Sequence, residues 1–177
     1  MTDPNGTYTT SDCNNQCGGG AAKKYIFTTT THYTGNLGGI AGADTICNNT
    51  ATAAGLGGTW KAWLSDSNTN AIDRINDVGP WYLLNGVKAF NNKVNLTTAP
   101  LVALNVNENG ETFDNDVWTG TNVGGTKSGD NCYEWWGGED AGTYGDNRDP
   151  SIWTDRGGPA NWIWCTNGFP SLYCIEQ

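Results

Sequence analysis

The side chains best suited to recognition gather late in the chain. Between Asn122 and Pro159 glycine, aspartate and asparagine dominate, with aromatic residues set among them. Aromatic anchors flanked by polar residues are the usual composition of a binding surface, and Tyr and Trp supply contact area at low conformational entropy cost. The candidate ligand-binding residues are Tyr133, Glu134, Trp136, Glu139, Asp140, Tyr144, Asp146, Asn147, Arg148, Ile152, Asp155, Arg156, Asn161 and Trp162. In this reading the aromatic side chains anchor a ligand and the polar ones tune specificity.

Catalysis finds less support. The chain has no G-x-S-x-G elbow, no H-E-x-x-H helix and no phosphate-cradling G-x-x-x-x-G-K. Carboxylates are plentiful, which is the ordinary state of a solvated surface. The about 5–9 Å spacing of a glycosidase pair is a property of a fold and not of a sequence. No enzyme is expected. Calcium takes about six to eight oxygens, and Asp114-Asn115-Asp116, Glu139-Asp140 and Asp146-Asn147-Arg148-Asp149 carry suitable ones. Loops rich in Asp and Asn more often simply turn, so the expectation is turns and no cofactor, with calcium as the alternative. His32, the single histidine, leaves zinc without a ligand set. Asn-x-Thr sequons stand at Asn5, Asn48 and Asn95 and carry little weight alone.

At 177 residues the chain is long enough for one domain with a sizeable core. Its formal net charge of −9 repels phosphate backbones and anionic lipid, so nucleic acid is not an expected partner. No apolar run approaches the ~20 residues needed to span a membrane. Met1-Thr2-Asp3-Pro4 has neither the basic start nor the apolar stretch of a signal peptide. Six cysteines, an even number without a C-x-x-C pair, favour disulfides in an oxidising compartment over zinc or redox work. The count leaves their connectivity open.

The elements that must position these groups are legible in outline. Residues 1–22 are polar and Gly-rich and read as an arm, within which Cys13 and Cys17 close a small local loop. The domain proper spans residues 23–177. Tyr25-Ile26-Phe27 and the threonines after them suit a pleated strand. Ile40, Ala43, Cys47, Ala51 and Ala54 recur at three- and four-residue steps, which is one helical face, and Gly55 is its stop. Thr59 to Leu64 alternates as a strand, and Asp66 to Arg74 holds a turn and a short helical piece. Asn85-Gly86, between Trp81–Leu84 and Val87–Phe90, is the strongest short hairpin signal. Val117–Thr119, Trp162–Trp164 and Leu172–Ile175 are further short strands, and most of 122–159 reads as loop. Alternation puts Trp162 and Trp164 on one face of their strand, a face as compatible with burial as with exposure. Trp136, next to Trp135, is the better candidate for exposure.

These residues resemble a known family. Gly39-Ile40-Ala41-Gly42-Ala43-Asp44-Thr45-Ile46-Cys47 and Ala54-Gly55-Leu56-Gly57-Gly58-Thr59-Trp60-Lys61-Ala62-Trp63-Leu64-Ser65 look like endostatin, the C-terminal domain of certain collagens. So do Val117-Trp118-Thr119-Gly120, Cys132-Tyr133-Glu134-Trp135 and Tyr173-Cys174-Ile175-Glu176. The likeness runs from about Lys24 to Gln177, in order and with the cysteines in register. The chain is more closely similar to microbial surface domains that share this plan. Both groups have a C-type lectin-like fold. The resemblance therefore implies an α+β domain of short antiparallel strands, one or two helices and long C-terminal loops. It implies Cys47–Cys174 and Cys132–Cys165 disulfides, and a first strand, Tyr25–Thr28, lying beside Leu172–Ile175. Trp60, Trp118, Trp135 and Trp153 sit in family-like positions and are expected in the core.

The departures are equally informative. Endostatin's zinc ligands and basic heparin patch have no counterpart here. The Glu-Pro-Asn, Gln-Pro-Asp and Trp-Asn-Asp tripeptides of calcium-dependent sugar binding are absent too. One branch of the fold serves as the variable receptor protein of diversity-generating retroelements, phage tropism determinants among them. There a reverse transcriptase scatters substitutions over a C-terminal patch. A stapled framework apart from its loops, a C-terminal third rich in Trp, Tyr, Asp and Asn, and many asparagines (adenine-rich codons are what such mutagenesis targets) fit that role. The implied function is non-enzymatic binding of a protein or glycan ligand on a cell or particle surface. The implied location is extracellular, at a cell surface or on a virion. A fixed microbial adhesin or carbohydrate-binding domain, with or without calcium, is the alternative.

Overall fold

The computed structural model describes residues 23–157 and 162–177. The expected Cys13–Cys17 loop and Asn161 lie outside these residues. In chain order the elements are β1 (Lys24–Thr28), α1 (Gly39–Ala53), β2 (Trp60–Ala62), α2 (Ala71–Arg74), β3 (Trp81–Leu83), β4 (Lys88–Phe90), a 3₁₀ turn (Lys93–Thr97), β5 (Asp116–Trp118), β6 (Ala141–Asp146), a second 3₁₀ turn (Pro150–Ile152), β7 (Trp162–Trp164) and β8 (Ser171–Glu176). The fold is mixed α+β, built on one eight-stranded sheet.

Alternation along the central strands creates two cores. Side chains on a strand point to opposite faces in turn, and here both faces are covered. Ile26, Val117, Tyr173 and Ile175 enter one cluster with Trp63, Trp81, Phe90 and Trp153. Their neighbours Phe27, Trp118, Leu172 and Cys174 enter the other, with Trp60, Trp135 and the inward face of α1. That helical face is Ala43, Cys47 and Ala51, small residues that let the helix lie close to the sheet. Gly55, in the left-handed conformation at φ 74°, follows the helix and ends it. Arg74 ties helix, strand and α2 together: its guanidinium pairs with Asp44 at 2.5 Å and donates to the carbonyls of Ala62 and Leu64.

The sheet runs β4-β3-β1-β8-β5-β6-β7, with β2 also paired to β8. The chain's last strand is thus in the middle. Phe27 of β1 and Ala62 of β2 both register opposite Cys174, each antiparallel. β5 runs parallel to β8, and β3 runs parallel to β1. The pairing is therefore mixed, which corrects the expectation of antiparallel strands alone. The partners in each parallel pair lie far apart in the chain, and a long crossover does not impose the reversed direction that a hairpin does.

Among the described residues two disulfides close the fold. Cys47–Cys174 spans 127 residues and joins α1 to β8, and Cys132–Cys165 spans 33. On the loop-entropy model these closures stabilise by about 5 and about 4 kcal/mol. They fit an extracellular, oxidising setting. Among the described residues no helix is long and apolar enough to cross a membrane.

β6 lies inside the segment read as mostly loop. Its sequence, Ala-Gly-Thr-Tyr-Gly-Asp, carries two glycines, which ordinarily weaken a strand. Here they are required by close packing. A Cβ on Gly142 would sit 2.7 Å from the Cys132 sulfur and from the Trp118 ring, and one on Gly145 would collide with the Trp153 carbonyl.

Candidate functional site

The site begins with a backbone anomaly. Cys132, Tyr133, Glu134 and Trp135 all have positive φ, between 52° and 64°, so they form a left-handed turn without a single glycine. Each such residue costs roughly 1–2 kcal/mol relative to the right-handed form. The surroundings must therefore over-determine the conformation, and they do so from several sides. The Asn131 carboxamide oxygen accepts from the Glu134 amide at 3.1 Å, and its nitrogen donates to the Ser67 hydroxyl at 2.8 Å. The Glu134 carboxylate accepts from the Ser67 amide at 3.0 Å. The Trp135 indole, fully buried and edge-on to Trp118, donates to the Ser65 carbonyl at 2.7 Å. The Leu37 amide donates to the Trp135 carbonyl at 2.9 Å. Cys132 is bonded to Cys165, at the end of β7.

With Cys132 and Trp135 drawn inward, their neighbours turn out. Tyr133 is 61% exposed and Trp136 66%. The disulfide brings β7 to the same turn. On that strand Ile163 packs inward, while Trp162 and Trp164 stand outward at 40% and 53% exposure, their rings 5.1 Å apart and nearly perpendicular. The shared face of Trp162 and Trp164 is thus the solvent face. Phe169, in the connection to β8, is exposed as well. Trp60, Trp118, Trp135 and Trp153 are all buried, as their positions implied.

The polar candidates separate into two groups. Glu139, Arg148 and Arg156 are exposed, and Glu134, Asp140, Ile152 and Asp155 are partly so. Tyr144, Asp146 and Asn147 are not on the surface, which corrects their expected placement. Tyr144 lies opposite Trp118 in the β5–β6 ladder and belongs to the second core. Asn147 accepts from the Asn115 amide and donates to the Phe113 carbonyl, at 2.9 and 2.7 Å, fastening two loops. Asp146 is held by Arg148, whose Nε and terminal nitrogen donate to its two oxygens at 2.6 Å each.

Asp146 faces Asp116 across the same ladder. Arg148 and Arg156 both reach Asp116, at 3.2 and 3.3 Å. The two carboxyls respond differently. Burial pushes Asp116 above the usual carboxylate range, and the two arginines only partly oppose it. Burial pushes Asp146 up as well, but its hydrogen bonds from Arg148 outweigh that and hold it below the usual range. Tyr173, beneath them, is raised far above an ordinary phenol, first by burial and then by these two acids. Its hydroxyl has no hydrogen-bond partner among the described residues.

In the segments 114–116 and 146–149 the carboxylates accept from nearby amides and arginines. Asp149 accepts from the Ser151 amide at 2.8 Å, and Asp114 from the Asn105 carboxamide at 2.8 Å. Among the described residues no cluster of three or more His, Cys, Asp or Glu is placed to hold a metal ion.

One groove adjoins the turn. Trp136 forms one wall, Gly38–Ala41 at the start of α1 another, and Asp66, Asn68, Thr69 and Glu134 complete a space of about 420 Å³. Gly39 suits that place through its left-handed φ of 72°, and a Cβ there would meet the Trp136 ring at an ordinary 3.5 Å. Sequence reasoning missed Trp164, Phe169, Asp66, Asn68 and Thr69 as surface or groove residues. Alternation with Trp162 is a usable signal for Trp164. The Asp66–Thr69 loop is joined to Trp136 only by tertiary structure.

With this architecture in view, the family is clear. The chain belongs to the family described as a protein of unknown function, DUF1554, whose model matches residues 30–149. The match ends just after β6, so β7 and β8 lie beyond it. No curated protein matches the chain.

Proposed function

We propose that the chain is a non-enzymatic ligand-binding protein on a C-type lectin-like scaffold related to endostatin and to microbial surface domains. It acts extracellularly, at a cell surface or on a virion, as the variable receptor protein of a diversity-generating retroelement. Its recognition surface is Tyr133, Trp136, Trp162 and Trp164 with the polar residues around them, and its ligand is carried on a cell or particle surface. The observation that carries this reading is the exposure of four large aromatic side chains on a turn and strand stapled together by Cys132–Cys165. Large aromatic side chains left in water bury little area for stability, and rigid presentation lowers the entropy lost on binding. Two features support the lectin-like scaffold: the central position of the terminal strand beside β1, and the two disulfide pairings.

Two tests apply. The gene should lie beside a reverse transcriptase and an imperfect copy of its own 3′ end, and their absence overturns the diversification role. Full-length chain should also bind intact cells or particles of its habitat and lose that binding when Tyr133, Trp162 and Trp164 are changed together to alanine. Binding unchanged by the triple substitution overturns the surface.

A further inference from the structure

The Trp136 groove has a chemistry distinct from the rest of the exposed face. Its wall is an indole two-thirds exposed. Its lining combines residues that carry acceptors and donors. Asp66 uses one carboxylate oxygen to accept from the Asn68 and Thr69 amides, at 2.9 and 2.7 Å, and Glu134 uses one to accept from Ser67. Among the described residues the second oxygen of each carboxylate, the Asn68 carboxamide and the Thr69 hydroxyl make no hydrogen bond. The loop bonds that fix Asp66 and Glu134 therefore occupy one oxygen of each of these lining residues and leave the other as an acceptor, and Asn68 and Thr69 bring donors to the same lining. The first turn of α1 on the opposite side has no side-chain cap. The lining contains no Lys, Arg or His.

An indole face beside paired hydrogen-bond donors and acceptors matches a ligand with an apolar face and a rim of hydroxyls. A pyranose ring has that form: axial C–H groups cover one face and hydroxyls project around the edge. A purely cationic ligand would use the carboxylates and the indole but leave the donors unanswered. An acidic sugar would meet two carboxylates with no base to answer it. We infer that the Trp136 groove binds a neutral pyranoside, stacked on the indole and hydrogen-bonded to Asp66, Asn68, Thr69 and Glu134, without a metal ion. This rests on the ligand-binding reading above and names the chemical class one part of the surface accepts.

The test uses the full, oxidised chain. Methyl glycosides of glucose, galactose, mannose and N-acetylglucosamine are titrated in EDTA while the Trp136 indole N–H resonance is followed, identified by its loss in Trp136→Ala. At least one neutral glycoside should shift that resonance saturably, and Asn68→Ala and Asp66→Asn should each weaken the effect by about tenfold, the loss of roughly one good hydrogen-bond contact. Thermal unfolding of the variants confirms that they fold. The inference is overturned if no neutral glycoside shifts the resonance, if the shift requires calcium, or if both loop variants bind as the parent does. It is equally overturned if methyl sialoside or tetramethylammonium shifts the resonance and the neutral sugars do not. Cell binding by the Tyr133, Trp162 and Trp164 variant is measured in parallel. Its loss alongside a silent groove removes the saccharide assignment alone, whereas its persistence removes the wider surface reading.

Discussion

The two disulfides enclose regions of opposite character. Around Cys47–Cys174 the residues Leu172 to Ile175 alternate between two apolar clusters, the helix presents only small residues inward, and Asp44 is ion-paired with Arg74. Around Cys132–Cys165 the backbone is left-handed without glycine, and tryptophans stand in water. The first region follows the rules that make a fold stable. The second breaks them, yet is held firmly by the first through Trp135, Leu37 and Ser65. Local violations of this kind, compensated by their surroundings, are expected where a protein spends stability on function.

The largest test of this contrast is the disulfides themselves. Replacing Cys47 and Cys174 by alanine should cost about 5 kcal/mol in denaturant unfolding, and replacing Cys132 and Cys165 about 4. The second loss should be smaller still in practice, because release of the left-handed turn recovers part of it. A second loss of the full amount, about 4 kcal/mol, would show that the turn is not strained.

Next is the glycine pair of β6. Gly145→Ala must displace the Trp153 backbone and should destabilise by about 3 kcal/mol, with Gly142→Ala somewhat milder because side-chain atoms give more readily. Thermal unfolding reads both.

The facing carboxyls come third and divide in sign. Asp146 has its pKa lowered by folding, so it stabilises the protein above the ordinary carboxylate range, and that stability is lost as pH falls through its depressed value. Asp116 has its pKa raised, so it favours folding most when protonated and loses stability as pH rises from the ordinary range through its raised value. Asp146→Asn should therefore cost about 2 kcal/mol at neutral pH and flatten the acid limb of a stability–pH curve. Asp116→Asn should change neutral stability by less than about 1 kcal/mol, toward stabilisation.

Smallest is the display turn. Tyr133→Gly relieves one left-handed residue and should raise stability by up to about 1 kcal/mol. The same change should abolish ligand binding. A gain in stability together with a loss of function at one exposed position is a signature that the framework should not show anywhere.

Much of the framework was legible in the sequence because it obeys local rules. The three- and four-residue spacing of Ala43, Cys47 and Ala51 reads directly as α1, and Asn85-Gly86 reads as the β3–β4 turn, with Gly86 at φ 90°. β6 was not legible, since its glycines answer to Trp153, Trp118 and Cys132 and not to strand propensity. The left-handed turn has no local signal at all: Cys-Tyr-Glu-Trp would adopt it nowhere without the bonds from Asn131, Ser67 and Leu37. For the same reason the site was only half legible. Tyr133 and Trp136 were found by composition, but Tyr144 and Asn147 look identical in composition and are buried. Asp66 and Asn68 reach the groove from a loop more than sixty residues earlier in the chain.

The central claim is that a rigid framework carries a surface free to vary. Saturation mutagenesis of the whole chain, scored by protease resistance of the displayed protein, tests it most directly. Trp136, Glu139, Arg156, Trp162 and Trp164 should accept nearly every substitution with stability changes within about 0.5 kcal/mol. Phe27, Cys47, Trp118, Trp135 and Cys174 should accept almost none. If the exposed aromatic positions prove as intolerant as Phe27 and Trp135, they belong to the framework and the division proposed here is wrong.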